Sequence, residues 1–184
     1  MRKYLKFISV ALILLAPVSC NHEVDDVFSE SASERMAKSV EKYRFALQTR
    51  QTWVMEYYPD DDLAYGGWVY VIQFNKDNTL KAWFEGSTLL DDDAVTESEY
   101  VVEYSNGPML KFRTNNDYLH FFATPGAHGS GYRGYEGDYE FTIMSMSQAY
   151  DEIIMRGSKT GNTIRLTPLS GEYTPESYIV AVHA

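Results

Sequence analysis

Carboxylates are the most abundant reactive groups in this chain, 26 Asp and Glu residues in 184, and two arrangements of them have chemical meaning. Asp60-Asp61-Asp62 and Asp91-Asp92-Asp93 present runs of the oxygen ligands that calcium prefers. Neither run has the alternating spacing or the closing glutamate of a calcium loop. Both therefore read as solvated turns, and no metal site is expected. Glu56, Glu85, Glu103 and Glu140 lie in segments with strand patterning, and two convergent acids are all that glycoside hydrolysis requires. Any acidic β-protein offers such pairs, so the pattern assigns no catalytic residue.

Other chemistries find less support. Nucleophilic catalysis needs a Ser or Cys activated by a base and oriented by an acid, and there is no G-x-S-x-G elbow. His22 and His183 lie near the two ends, and His120 sits inside an aromatic run. The glycine-rich segment 125–137 carries His128, Tyr132, Arg133 and Tyr135. It lacks the lysine and the following helix of a phosphate cradle, so no nucleotide or other cofactor is expected. A loop of this length reads either as an ordinary connection or as a ligand-binding loop. Trp83 is the remaining candidate. Alternation sets it on the face shared by Lys81 and Glu85, away from Leu80, Ala82 and Phe84. An indole framed by polar groups suits a sugar ring or a protein partner, unless the N-terminal helix covers that face.

The elements that position these residues follow from periodicity. Met36, Val40, Tyr43 and Leu47 share one face of a helix over 29–50, opened by the capping pair Ser31 and Glu34. From Trp53 onward the period is two. Strands are expected at 53–58, 67–74, 80–85, 99–105, 109–114, 118–123, 138–145, 152–157 and 162–167, separated by polar turns. Strands at short spacing without helices between them imply an antiparallel meander. The fold class is α+β, mostly β: one N-terminal helix on a curved, partly barrel-like antiparallel sheet.

Composition agrees, at 45% hydrophobic, 15% aromatic and 23% charged residues. Sixteen basic residues against 26 acidic give a net charge of −10, which phosphate backbones repel, so no nucleic-acid partner is expected. One cysteine, Cys20, excludes an intramolecular disulfide and a cysteine-built zinc site.

That cysteine has another use. Arg2, Lys3 and Lys6 precede an apolar run, Phe7–Leu15, too short to cross a bilayer comfortably. Ala16, Val18 and Ser19 then lead to Cys20. The arrangement resembles the lipobox of bacterial lipoproteins, with Pro17 where leucine is usual. The resemblance implies a signal peptide at 1–19, cleavage before Cys20, and acyl chains on its sulfur and new amine. Each buried methylene contributes about 0.8 kcal/mol, so two or more chains anchor the protein to the membrane. Residues 20–28 form an acidic tether, leaving a single globular domain over 29–184. Acids behind the lipidated cysteine resemble a signal for transfer to the cell surface. Val24 interrupts them, so the surface and the periplasmic face of the outer membrane both stay open.

Beyond the lipobox, the stretches Trp53-Val54-Met55-Glu56-Tyr57-Tyr58-Pro59, Leu119-His120-Phe121-Phe122, Gly137-Asp138-Tyr139-Glu140-Phe141 and Lys159-Thr160-Gly161-Asn162 follow in order. The chain resembles the Bacteroides-type lipoproteins of the domain of unknown function 4302 family. That resemblance implies a location and an architecture but no activity. The expected function is a non-enzymatic binding or assembly module for a glycan or protein ligand, with Trp83, Tyr132, Arg133 and Tyr135 as ligand contacts. The alternative is a small carboxylate-dependent hydrolase such as a glycosidase. Cys20→Ala is expected to release the cleaved protein from membranes or leave it unprocessed. Fractionation showing a cleaved variant still fully membrane-bound would refute lipidation.

Overall fold

The computed structural model describes residues 29–86, 95–126, 129 and 131–183. Cys20 and its tether, Asp91-Asp92-Asp93 and His128 lie outside the described residues. The chain divides into two units, Met1–Ser31 and Ala32–Ala184, and the second holds all the regular structure described below.

Helix α1 (Ala32–Arg50) is followed by eight strands: β1 (Thr52–Tyr57), β2 (Trp68–Phe74), β3 (Thr79–Phe84), β4 (Thr96–Tyr104), β5 (Pro108–Phe112), β6 (Glu140–Met146), β7 (Ile153–Gly157) and β8 (Thr163–Pro168). Each strand pairs antiparallel with the next, and β8 returns to pair with β1. The meander is a closed barrel. An eight-stranded barrel has an interior just wide enough for side chains to fill. Here large apolar residues at alternate positions fill it, among them Trp53, Tyr70, Phe74, Phe84, Phe112 and Phe141. Tyr70 and Phe84 stack with centroids 4.5 Å apart, and Tyr57 meets Tyr70 edge-on at 5.5 Å.

α1 closes one end. Leu47 joins the core, with Val40 and Tyr43 packed against it, as their shared helical face requires. Gln51 adopts φ 63° and turns the chain from helix into β1. The Trp53 indole N–H donates to the Leu47 carbonyl at 3.0 Å, and Gln48 Nε2 donates to the Tyr100 hydroxyl at 2.9 Å. The first of these bonds satisfies an indole N–H that would otherwise be buried without a partner.

The other end is closed by residues 116–126 and 131–137, and here the structure corrects the expected strand at 118–123. Those residues form successive tight turns, with the amide of His120 bonded to Asn116 O and that of Thr124 to His120 O. The reason is burial on every side. Tyr118, Leu119, Phe121 and Phe122 are all buried, which strand alternation cannot achieve against a single core. Asn116 starts the turns: its side-chain oxygen accepts from the Tyr118 and Leu119 amides, and its Nδ2 donates to Ser98 Oγ at 3.0 Å.

A second helix, α2 (Pro175–His183), packs outside the barrel on β2 and β3. It has no expected counterpart. Its residues Ile179-Val180-Ala181-Val182 are apolar without a polar face, so no helical period marks it.

Two buried phenols make the barrel sensitive to alkali. Burial raises the pKa values of Tyr57 and Tyr70 above the usual 10.0, with the nearby Asp138 adding to the rise for Tyr57. Above that pH the unfolded chain loses protons that the folded chain keeps, so folding stability falls as pH rises. Stability is expected to change little from these groups up to about pH 9 and to decline beyond pH 10. Urea melts across that range, with tyrosinate absorbance followed in parallel, check this. Ionisation of every tyrosine in the folded state would contradict it.

Candidate functional site

At the end closed by residues 116–126 and 131–137, two connections meet on the surface. The first joins β1 to β2 through Tyr58–Gly67. Its aspartate run makes tight turns: Asp60 stands at φ 65°, Asp60 O accepts from the Leu63 amide, and Asp60 Oδ2 accepts from the Ala64 amide at 3.3 Å. The turns leave Leu63 and Tyr65 exposed. The Trp68 indole donates to the Tyr65 carbonyl at 2.9 Å and fixes where that ring emerges.

The second connection is the glycine-rich segment. Phe122 O accepts from the amides of Tyr135 and Gly137, both at 3.0 Å, folding the segment back on the closing turns. Gly137 has no room for a side chain, because a Cβ there would lie 2.4 Å from Tyr57 Oη and 2.6 Å from Phe122 Cβ. Tyr135 stacks on Phe121 at 5.9 Å and meets Tyr65 of the other connection edge-on at 5.0 Å. Tyr132 is 90% exposed. Arg133 pairs with Glu136 at 3.2 Å. Carboxylate oxygens of Asp60, Asp61 and Glu136 all lie within 4.8 Å of one another. The result is an aromatic face with polar groups beside it.

The sequence-predicted residues separate into two groups. Tyr135 meets Tyr65, Arg133 pairs with Glu136 beside Asp60 and Asp61, and Tyr132 in the same segment is exposed. Trp83 does not join them. It is half-buried on the outer side of β3, and its indole N–H donates to Glu176 of α2 at 2.9 Å. The cover over it is therefore α2, not the N-terminal helix of the original expectation; α1 packs on β1, β4 and β5 instead. Leu63 and Tyr65 escaped the sequence reading. Their signal was two large apolar residues inside an otherwise polar turn.

The strand glutamates are committed elsewhere. Lys111 Nζ lies 2.8 Å from Glu103 and 3.5 Å from Glu140, Arg165 lies 3.7 Å from Glu56, and Glu85 accepts from the Val69 amide at 2.8 Å. None of these forms a free acid pair. His120 is half-buried with its ring 4.9 Å from Tyr139 and Nδ1 against the Asn116 amide, and desolvation holds its pKa below the ordinary value.

The sequence matches the family described as Domain of unknown function (DUF4302) over residues 24–182. The chain belongs to that family. No curated protein and no solved structure matches it. In this DUF4302 domain, three of the stretches that carry the resemblance meet at one point under the aromatic face. The buried Asp138 carboxylate accepts from the Lys159 amide at 2.5 Å, and from the Thr160 amide and hydroxyl at 3.2 and 2.5 Å. Tyr57 Oη donates to the Asp138 carbonyl at 2.9 Å. Asn162 Nδ2 donates to the carbonyls of Tyr58 and Asp60 at 2.9 and 2.6 Å. These residues form a clamp that holds both connections, so their role is structural. Asp138→Ala removes the acceptor of three part-buried donors, the Lys159 amide and the Thr160 amide and hydroxyl, and is expected to cost about 1–3 kcal/mol in a urea melt. A loss below about 1 kcal/mol would show that the clamp does not hold this end closed.

Proposed function

We propose that this DUF4302 protein is a lipid-anchored binding module of the outer membrane, and that its ligand face is formed by Leu63, Tyr65, Tyr132 and Tyr135. The observation that carries the reading is the meeting of Tyr65 and Tyr135 at 5.0 Å, from two separate connections, the second of which also carries the almost fully exposed Tyr132. Grouped tyrosines offer large, stiff apolar surface with a hydroxyl at the rim, which suits the apolar faces of sugar rings. Carboxylates and a guanidinium at the same place supply hydrogen bonds to hydroxyl groups. The class of ligand we favour is a glycan, with a protein partner as the other candidate. The N-terminal lipobox-like segment supports the anchor through Cys20.

The grouped carboxylates favour one second reading. Glycoside hydrolysis runs on two convergent carboxyl groups, and carboxylate oxygens of Asp60, Asp61 and Glu136 lie within 4.8 Å of one another. A hydrolase would release shorter saccharides, whereas a binding module would return the glycan intact.

A glycan array probed with the purified protein, followed by calorimetry and product analysis on any hit, separates these readings. Tyr132→Ala is expected to weaken binding at least about tenfold, or about 1.4 kcal/mol, while leaving the thermal melt unchanged. Tyr65→Ala is expected to behave alike. Binding that survives both substitutions places the ligand elsewhere.

A further inference from the structure

On the outward side of β1 to β3, three of the four apolar residues form one line, Val69 being the fourth. Val54, Val71 and Trp83 stand side by side in register across the three strands. Around them lie Glu56, Gln73, Lys81 and Glu85. Val71 is fully buried although its strand neighbours Tyr70 and Ile72, not Val71 itself, fill the barrel. α2 packs on β2 and β3, the strands that carry Val71 and Trp83.

That cover is lightly attached. None of the nine residues of α2 is buried, and Val180 is 69% exposed. Its first turn is held by its own residues: Thr174 Oγ1 accepts from the Ser177 amide, and Ser177 Oγ accepts from the Thr174 amide. The last backbone bond to the barrel before the helix joins the Leu169 amide to Thr52 O. Beyond it, among the described residues, the bond from Trp83 to Glu176 is the one side-chain hydrogen bond between segment 170–183 and the barrel. The barrel beneath is complete without the helix, because β8 closes on β1 before α2 begins. Few buried contacts and few bonds mark an element that opens locally while the rest stays folded.

We propose that α2 is a lid: it opens as a unit from a barrel that remains folded, and its opening uncovers Trp83 together with Val71. This goes beyond the ligand face at the barrel end and does not depend on it. The uncovered strip carries a flat indole between Lys81 and Glu85, whereas the closed form commits that ring to Glu176 and the helix.

Two measurements on the full chain test the lid. In hydrogen exchange, the amides of residues 179–183 are expected to exchange at least about a hundredfold faster than those of β2 and β3. Exchange of both sets at the same rate would overturn the proposal, since α2 would then open only with the barrel. In acrylamide quenching, Ile179→Asp is expected to raise the quenching of the emission component that Trp83→Phe removes by about twofold or more. The melting temperature of the barrel is expected to stay within about 4 °C. Unchanged quenching, or a barrel that melts as after a core lesion, would overturn it equally.

Discussion

One buried carboxylate organises the end of this barrel that carries the aromatic face. Asp138 is 4% exposed and would be costly there without partners, but two amides and a hydroxyl from the β7–β8 turn point at its oxygens. The same turn contributes Asn162, which holds the β1–β2 connection by its carbonyls. Close approach is possible because Gly157 has no side chain: a Cβ there would lie 2.2 Å from Asp138 Oδ2. Three distant parts of the chain are thereby fixed to one another, by bonds to a carboxylate on one side and by neutral amide and hydroxyl bonds on the other. Above that arrangement Tyr135 packs on Phe121 and Phe122, whereas Tyr132 stands almost fully exposed.

Much of the architecture was legible in the sequence because its causes are local. Alternation at Trp53–Tyr57, Tyr70–Phe74 and Leu80–Phe84 reports a core on one side of each strand, and the four-three-four spacing of Met36, Val40, Tyr43 and Leu47 reports the docked helix. Residues 118–122 misled for a physical reason. An apolar run bounded by polar turns describes a buried strand and a plug of tight turns equally well, and only the shape of the cavity being filled distinguishes them. Helix α2 was hidden because its stability comes from the barrel surface it rests on, not from an amphipathic pattern of its own. Half of the candidate face was visible too: a glycine-rich segment with Tyr132 and Tyr135 has an obvious composition. Its other half, Leu63 and Tyr65, depended on a long-range meeting that no local pattern encodes.

The acidic character of the chain also resolves into distinct uses. On the barrel wall, Glu56, Glu103 and Glu140 face Arg165 and Lys111 across neighbouring strands, in exposed or half-exposed pairs. Such pairs are worth little individually, and their main effect is to keep like charges from meeting across the ladder. Asp77 binds the Thr79 amide and hydroxyl within a hairpin turn, which lowers its pKa. Asp60, Asp61 and Glu136 group beside Tyr65 and Tyr135, where Asp60 also serves its own turn and Glu136 pairs with Arg133.

The return of β8 to β1 has a consequence for how this molecule can meet others. An open sheet ends in a row of unpaired N–H and C=O groups, ready to template a strand from a neighbouring chain. In this barrel both outermost strands spend those groups on each other, from Trp53 opposite Pro168 to Glu56 opposite Arg165. Along the seam between β8 and β1 there is therefore no free ladder for a neighbouring strand to extend, and a partner meeting that seam is left with its side chains.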